Sequence, residues 1–209
     1  SVDALHVSRI HDCISDLLAG REVKIPKFIF GEGVSQKDTN SISLPDGGFV
    51  IIEGIHALNP VMTDGLDLKK IMKLFISVST NINNDGKRIL SGRKIRFIRR
   101  MTRDSLYRKT DAKGTLDRWE SVLAGEDKYL YPYKDTADFS LDTFHEYELG
   151  AMKPFAMKAI ESSGEALCGK YIDTIISALK DFDEIEIENV PKTSLIREFI
   201  PGGKYEDIY

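Results

Sequence analysis

Cysteine is almost absent: Cys13 and Cys168 lie far apart, with no second Cys or His at metal-ligand spacing. That excludes a disulfide framework and a cysteine-based zinc site. Histidine is nearly as sparse, and His6, His11, His56 and His145 show no paired ligand spacing. Serine and cysteine nucleophile motifs are missing. No apolar run approaches the ~18 residues of a membrane-spanning helix, and the first residues carry no basic stretch leading into an apolar one. The expectation is a soluble, cytoplasmic protein with no membrane partner. What is present is enough apolar material, 42% of 209 residues, to bury one substantial core, so a disordered chain is excluded as well.

Positive charge is scarce except in one place. The formal net charge is -4, yet residues 87–113 hold eleven Lys and Arg against only Asp104 and Asp111. Concentrated cations amid acidic surroundings predict a polyanionic ligand. The alternative is a solvated helix face whose arginines pair with the surplus acids elsewhere. The patch is short and has little aromatic interleaving, which argues against a nucleic-acid face.

Val7, Ile10, Ile14 and Leu17 recur at helical spacing and Gly20 follows, predicting an amphipathic helix. Residues 23–30 read as extended, with Pro26 pushing them to an edge or a loop crossing, and residues 31–48 are turn-rich. The continuous apolar run of residues 49–54, FVIIEG, predicts a strand covered on both faces, as in a parallel sheet. Residues 74–79 predict a second such strand after a short helix at 66–72, which together imply a right-handed crossover. Helices are expected at 94–109 and 115–124, a short strand at 138–141, and a helical pair at 147–160 and 166–179.

In the run ending at Glu53 and Gly54, the acid falls at the carboxyl end of the expected strand, where ligands of open α/β sheets bind. An acid there can orient Mg²⁺ beside phosphates, although a turn acid without any ligand fits the same pattern. His56 follows closely enough to line the same cleft. Farther along, Arg96, Arg100, Arg103 and Tyr107 share one helical face while Ile95, Ile98, Met101 and Leu106 line another. Guanidiniums projecting together from a packed helix form a clamp, and the planar fork of arginine donates two parallel bonds to phosphate. Residues 164–170, GEALCGK, have the glycine and lysine spacing of a phosphate-binding loop. Tyr171 stands where Ser or Thr would hold Mg²⁺, however, and helical patterns flank the stretch, so the resemblance is accidental.

The segments GFVIIEGIHALNP, RFIRRMTRDSLYRKTDA and YKDTADFSL together resemble the uridine kinase and phosphoribulokinase group of P-loop kinases over residues 1–145. Residues 114–209, with LDRWESVLAGEDKYLYP, YELGAMKPFA and SLIREFIPGG, resemble a narrower branch: uridine kinase-like proteins that often carry an N-terminal TGS domain. The resemblance implies an α/β fold of the P-loop kinase type, a parallel sheet flanked by helices with an Arg-rich lid at about 94–113. Residues 1–145 would form the larger, C-terminal part of the kinase domain, and 146–209 a helical extension packed on the same domain.

The implied activity is ATP-dependent, Mg²⁺-assisted phosphorylation of a hydroxyl of a nucleoside, uridine- or cytidine-like, or a related small molecule. Arg100 and Arg103 resemble the family's RRxxRD arginines and Arg108 a lid arginine, all three catalytic; Glu53 resembles the metal-supporting acid. Asp3 resembles a substrate-side acid, though it equally suits a helix N-cap. Phe28 and Phe30 can wall the acceptor pocket or simply pack the core. Phe28 replaces a family tyrosine, Gly33 a base-contacting histidine and Thr110 a second lid arginine, departures that weigh against strict uridine specificity and leave the acceptor open. The family's phosphate-binding loop and general-base aspartate match positions upstream of Ser1, and this stretch alone is expected to be inactive. Two rival readings stand beside the enzyme: a non-catalytic module sensing nucleotide or RNA on a degenerate kinase fold, and an oligomer built through the C-terminal helices.

Overall fold

The computed structural model describes residues 2–29, 34–164 and 167–204, and within them the side chains of all but Ala4, Phe28, Lys37, Asp38 and Thr39. The chain forms two compact units, one from Ser1–Phe75 and Gly125–Phe139, the other from Ile76–Ala124 and Ser140–Tyr209.

In the first unit, helix α1 (Val7–Leu18) buries Ile14 and Leu17 on its apolar stripe, as the spacing predicts. Strand β1 (Val23–Ile29) pairs antiparallel with β2 (Val34–Ile42), and the register shifts between Ile25 and Lys27. Pro26 sits at that shift because it has no N–H to give a ladder. Strand β2 corrects the turn-rich expectation for 31–48. Its sequence, VSQKDTNSI, carries no apolar alternation, and pairing with β1 rather than intrinsic preference makes it a strand.

A second correction concerns residues 49–53, which adopt no regular structure, with Phe49 and Ile51 each 77% exposed. A continuous apolar run becomes a buried strand only where neighbours supply its ladder bonds and cover both faces. Among the described residues none does, so the predicted crossover is missing. The short helix expected at 66–72 is a single 3-10 turn at Leu68–Lys70, started by the Asp67 carboxylate accepting from the Lys69 N–H.

The parallel sheet is small. Strand β3 (Leu74–Ser77) pairs with a later strand at Phe139–Asp142. The Phe139 N–H donates to the Lys73 carbonyl at 3.2 Å and the Thr143 N–H to the Ser77 carbonyl at 3.1 Å. Bonds that advance in the same direction along both strands define a parallel pair.

The second unit contains the hairpin of β4 (Ile82–Asn84) and β5 (Lys87–Leu90). Its two turn residues, Asp85 and Gly86, have φ of 48° and 74°, the left-handed pair that suits the twist of a tight hairpin. Helix α2 (Gly92–Tyr107) follows, then α3 (Ala112–Tyr129), β6 (Phe139–Asp142), α4 (Glu148–Ser162) and α5 (Lys170–Lys180). Ile95, Phe97, Ile98 and Met101 of α2 are fully buried in one core with Leu149 and Met152 of α4 and Ile172, Ile175 and Leu179 of α5. Their 3.6-residue spacing is why these helices are legible in the sequence. Phe97 packs edge-on against Trp119 and Tyr171 at 5.3 and 5.4 Å, and the Trp119 indole N–H donates to the Tyr171 hydroxyl at 2.9 Å. Among the described residues no helix is long and apolar enough to cross a membrane.

Asp142 closes β6. Its carboxylate accepts from the Thr80 hydroxyl at 2.7 Å, the Phe144 N–H at 3.0 Å and the Ser79 N–H at 3.2 Å. Partial burial works to raise its pKa, but these hydrogen bonds outweigh it and hold the carboxyl below its ordinary value. A depressed folded-state pKa contributes stability that is fully present above the unfolded value, about 3.9, and is lost as pH falls through the folded one. Asp142→Asn should therefore be less stable than wild type at neutral pH, and the gap should close below about pH 4. Urea unfolding across that range checks it.

Candidate functional site

Helix α2 sorts its arginines into three environments. Arg99 is structural: its Nε and Nη2 donate to Glu148 at 3.0 and 2.5 Å, while Nη1 and Nη2 reach the Thr143 hydroxyl and carbonyl at 3.1 and 2.6 Å. Those four bonds engage all three guanidinium nitrogens, and the pair is buried, 8% exposed for Arg99 and 0% for Glu148.

Arg100 and Arg108 converge on Asp104. The three stand at i, i+4 and i+8, one above another along the helix. Asp104 Oδ2 lies 3.4 Å from Arg100 Nε and Oδ1 lies 3.4 Å from Arg108 Nη1. The Thr115 hydroxyl also donates to Oδ2, at 3.2 Å. Asp104 is only 7% exposed and Arg108 is 48% exposed, so a shielded anion anchors cations that reach outward. The helix ends here: the N–H groups of Arg108 and Thr110 both donate to the Asp104 carbonyl, at 3.1 and 3.2 Å. Between them Lys109 takes a left-handed φ of 52°. A cation at this end is favoured by the helix dipole.

Arg103 faces elsewhere. Its Nη1 pairs with Glu198 Oε1, and the Phe199 ring lies 5.7 Å from its guanidinium carbon. The buried Arg100 Nε keeps its long 3.4 Å ion-pair contact with Asp104, whereas Arg103 Nε is buried with no hydrogen-bond partner among the described residues. Arg197 Nε shares that feature, but the other nitrogens of Arg197 bond the Ile187, Val190 and Pro201 carbonyls and fasten the chain locally. An unmet buried donor costs about 1–3 kcal/mol, and native structures keep few of them.

The remaining predicted residues lie in the first unit. Glu53 is exposed and does not end a strand, because the run before it has no ladder; it precedes Gly54, whose φ is 142°. His56 is half-buried, its ring edge-on to Tyr129 at 5.0 Å, with Nδ1 buried and lacking a hydrogen-bond partner. Asp3 is exposed within a 3-10 turn, Val2–Ala4. The N-cap of α1 is His6, so Asp3 does not cap that helix. Lys128 is held above its ordinary pKa mainly by its hydrogen bond to Tyr129, with a lesser pull from Asp3. Phe28 pairs with Ser35 through the backbone of β1, its side chain lying outside the description, and Phe30 lies outside the described residues altogether. Among the described residues no group of three or more His, Cys, Asp and Glu could hold a metal ion. The glycine-spaced stretch near 164–170 follows α4 and opens α5, with no strand before it.

Sequence reasoning passed over Asp104, Glu148 and Glu198. Asp104 has a local signal, its four-residue spacing from Arg100 and Arg108; Glu198 stands 95 positions from Arg103 and has none.

Arginines fixed on a packed helix, with donors to spare, are equipment for holding phosphate. In agreement with this, the model of the phosphoribulokinase / uridine kinase family matches residues 1–149. The chain belongs to that family, one of kinase-type phosphotransferases. Neither a curated protein nor a solved structure was found to match it.

Proposed function

We propose that the protein is an ATP-dependent kinase that phosphorylates a hydroxyl of a nucleoside or related small molecule, with Arg100, Arg103 and Arg108 as its phosphate-holding residues. The single observation that carries this reading is the buried Nε–H of Arg103, which has no hydrogen-bond partner among the described residues, in a chain of this family. Phosphoryl transfer asks mainly for positioning and for stabilisation of charge spread over the equatorial oxygens. Asp104 fixes where Arg100 and Arg108 stand without exhausting them: its contacts with both are 3.4 Å long.

Mg²⁺ bound with its nucleotide takes one or two carboxylates, the rest of its shell being phosphate and water. Glu53, exposed beside the left-handed Gly54, suits one such carboxylate. Such an ion would supply positive charge against the donor phosphates. His56 and Asp3 are the polar groups that would meet the acceptor, and the unmet His56 Nδ1 supports a polar ligand there.

The test is ATP consumption by the full-length protein against a panel of nucleosides and sugar phosphates, with the 209-residue chain alongside. Consumption stimulated by one acceptor class supports the kinase and identifies that class. No stimulation by any acceptor, with nucleotide binding retained, would replace it with the sensing module.

A further inference from the structure

The 3-10 turn Leu195–Glu198 and the residues after it form a strap that ends against α2. Two fully buried side chains, Ile196 and Ile200, root it in the core. Ser194 starts the turn, its hydroxyl oxygen accepting from the Ile196 N–H at 3.1 Å and sharing a hydrogen bond with the Tyr147 hydroxyl at 2.6 Å. Arg197 ties it down through the Ile187 and Val190 carbonyls at 2.7 and 2.6 Å. Phe199 slides beneath two guanidiniums, 5.2 Å from Arg99 and 5.7 Å from Arg103. The strap is thus anchored several times over without Glu198.

Among the described residues the Glu198 carboxylate pairs with Arg103. Arg103 and Glu198 are 18% and 28% exposed, so the pair is largely shielded but keeps one edge at solvent. A guanidinium offers carboxylate and phosphate the same donor geometry. Its second spare donor, Arg103 Nε, is left unmet by Glu198.

We propose that Glu198 is a built-in stand-in for phosphate at Arg103, a latch that an incoming phosphoryl group must displace. The inference rests on the reading of Arg103 as a phosphate contact. Because Ile196, Phe199 and Ile200 stay rooted, opening needs only a rotation of the Glu198 side chain into solvent, with the strap unmoved. The latch keeps Arg103 occupied and oriented until a ligand with more charge and more oxygens arrives.

The test follows the Arg103 Nε–H signal by NMR while inorganic pyrophosphate is added to the 209-residue chain. Glu198→Gln should bind pyrophosphate at Arg103 at least about tenfold more tightly than wild type, the loss of one charge-assisted competitor. Glu188→Gln, which removes the same charge from an exposed site in the same region, should leave the affinity unchanged. Glu198→Asp, which keeps the charge but shortens its reach, should fall between and serves if the glutamine variant does not fold. Equal affinity in wild type and both Glu198 variants overturns the latch while leaving Arg103 a phosphate ligand. No Arg103 response in any of them overturns both. In full-length enzyme, normal turnover by Arg103→Ala beside tighter pyrophosphate binding by Glu198→Gln would keep the latch and remove only the catalytic role.

Discussion

Arg108→Ala is expected to lower phosphoryl transfer by the full-length protein by about 10³-fold, the contribution of an arginine placed on the transferring group. The expectation comes from its position. Arg108 is the more exposed of the two arginines on Asp104, and it stands at the end of a helix rooted in the core. Folding should be nearly unaffected, because Asp104 keeps Arg100 and Thr115 and surface ion pairs of this kind stabilise by less than about 1 kcal/mol. Turnover within about twofold of wild type, at unchanged thermal midpoint, would remove Arg108 from the mechanism; the twofold margin is far below what an arginine finger supplies.

Glu148→Ala should cost folding stability rather than chemistry, by about 3–5 kcal/mol. It would leave the Arg99 guanidinium buried without a counter-charge, with Thr143 and the Phe199 ring as its remaining contacts, and the His145 N–H, which donates to Glu148 at 2.9 Å, would lose its acceptor too. The sign reverses when both charges go. Arg99→Met with Glu148→Leu removes two buried ions instead of orphaning one, and such replacements are often neutral or stabilising. Urea unfolding of the single and double variants checks the pair. A double variant as unstable as the single one would mean that Thr143 and His145, not the ion pair, set the cost.

The two substitutions separate what the RRxxRD segment does for the fold from what it does for a ligand, and the sequence could not make that division. Ile95, Ile98 and Met101 announced the buried side of α2 by period alone. What each arginine pairs with depended on residues about 50 and 95 positions away, Glu148 for Arg99 and Glu198 for Arg103, which no local pattern connects. Helices α1, α4 and α5 were legible for the same reason as α2, since each writes its buried stripe into consecutive turns. Strand β2 was not, because a polar strand in a two-stranded ribbon has no obligatory apolar face. The opposite failure occurred at residues 49–53, where an apolar run promised a buried strand and the described residues supply neither partner nor cover. The β4–β5 hairpin carried a usable sign in Asp85-Gly86 that a search for apolar runs passes over.

The proposed activity moves a phosphoryl group from a nucleotide to a small hydroxyl compound. The most direct measurement supplies the full-length protein with ATP labelled in its γ-phosphate, offers nucleosides as acceptors, and looks for the label in a nucleoside monophosphate. The account predicts labelled product, greatly reduced by Arg108→Ala. Bound nucleotide with the label remaining in ATP, whatever acceptor is offered, would contradict it.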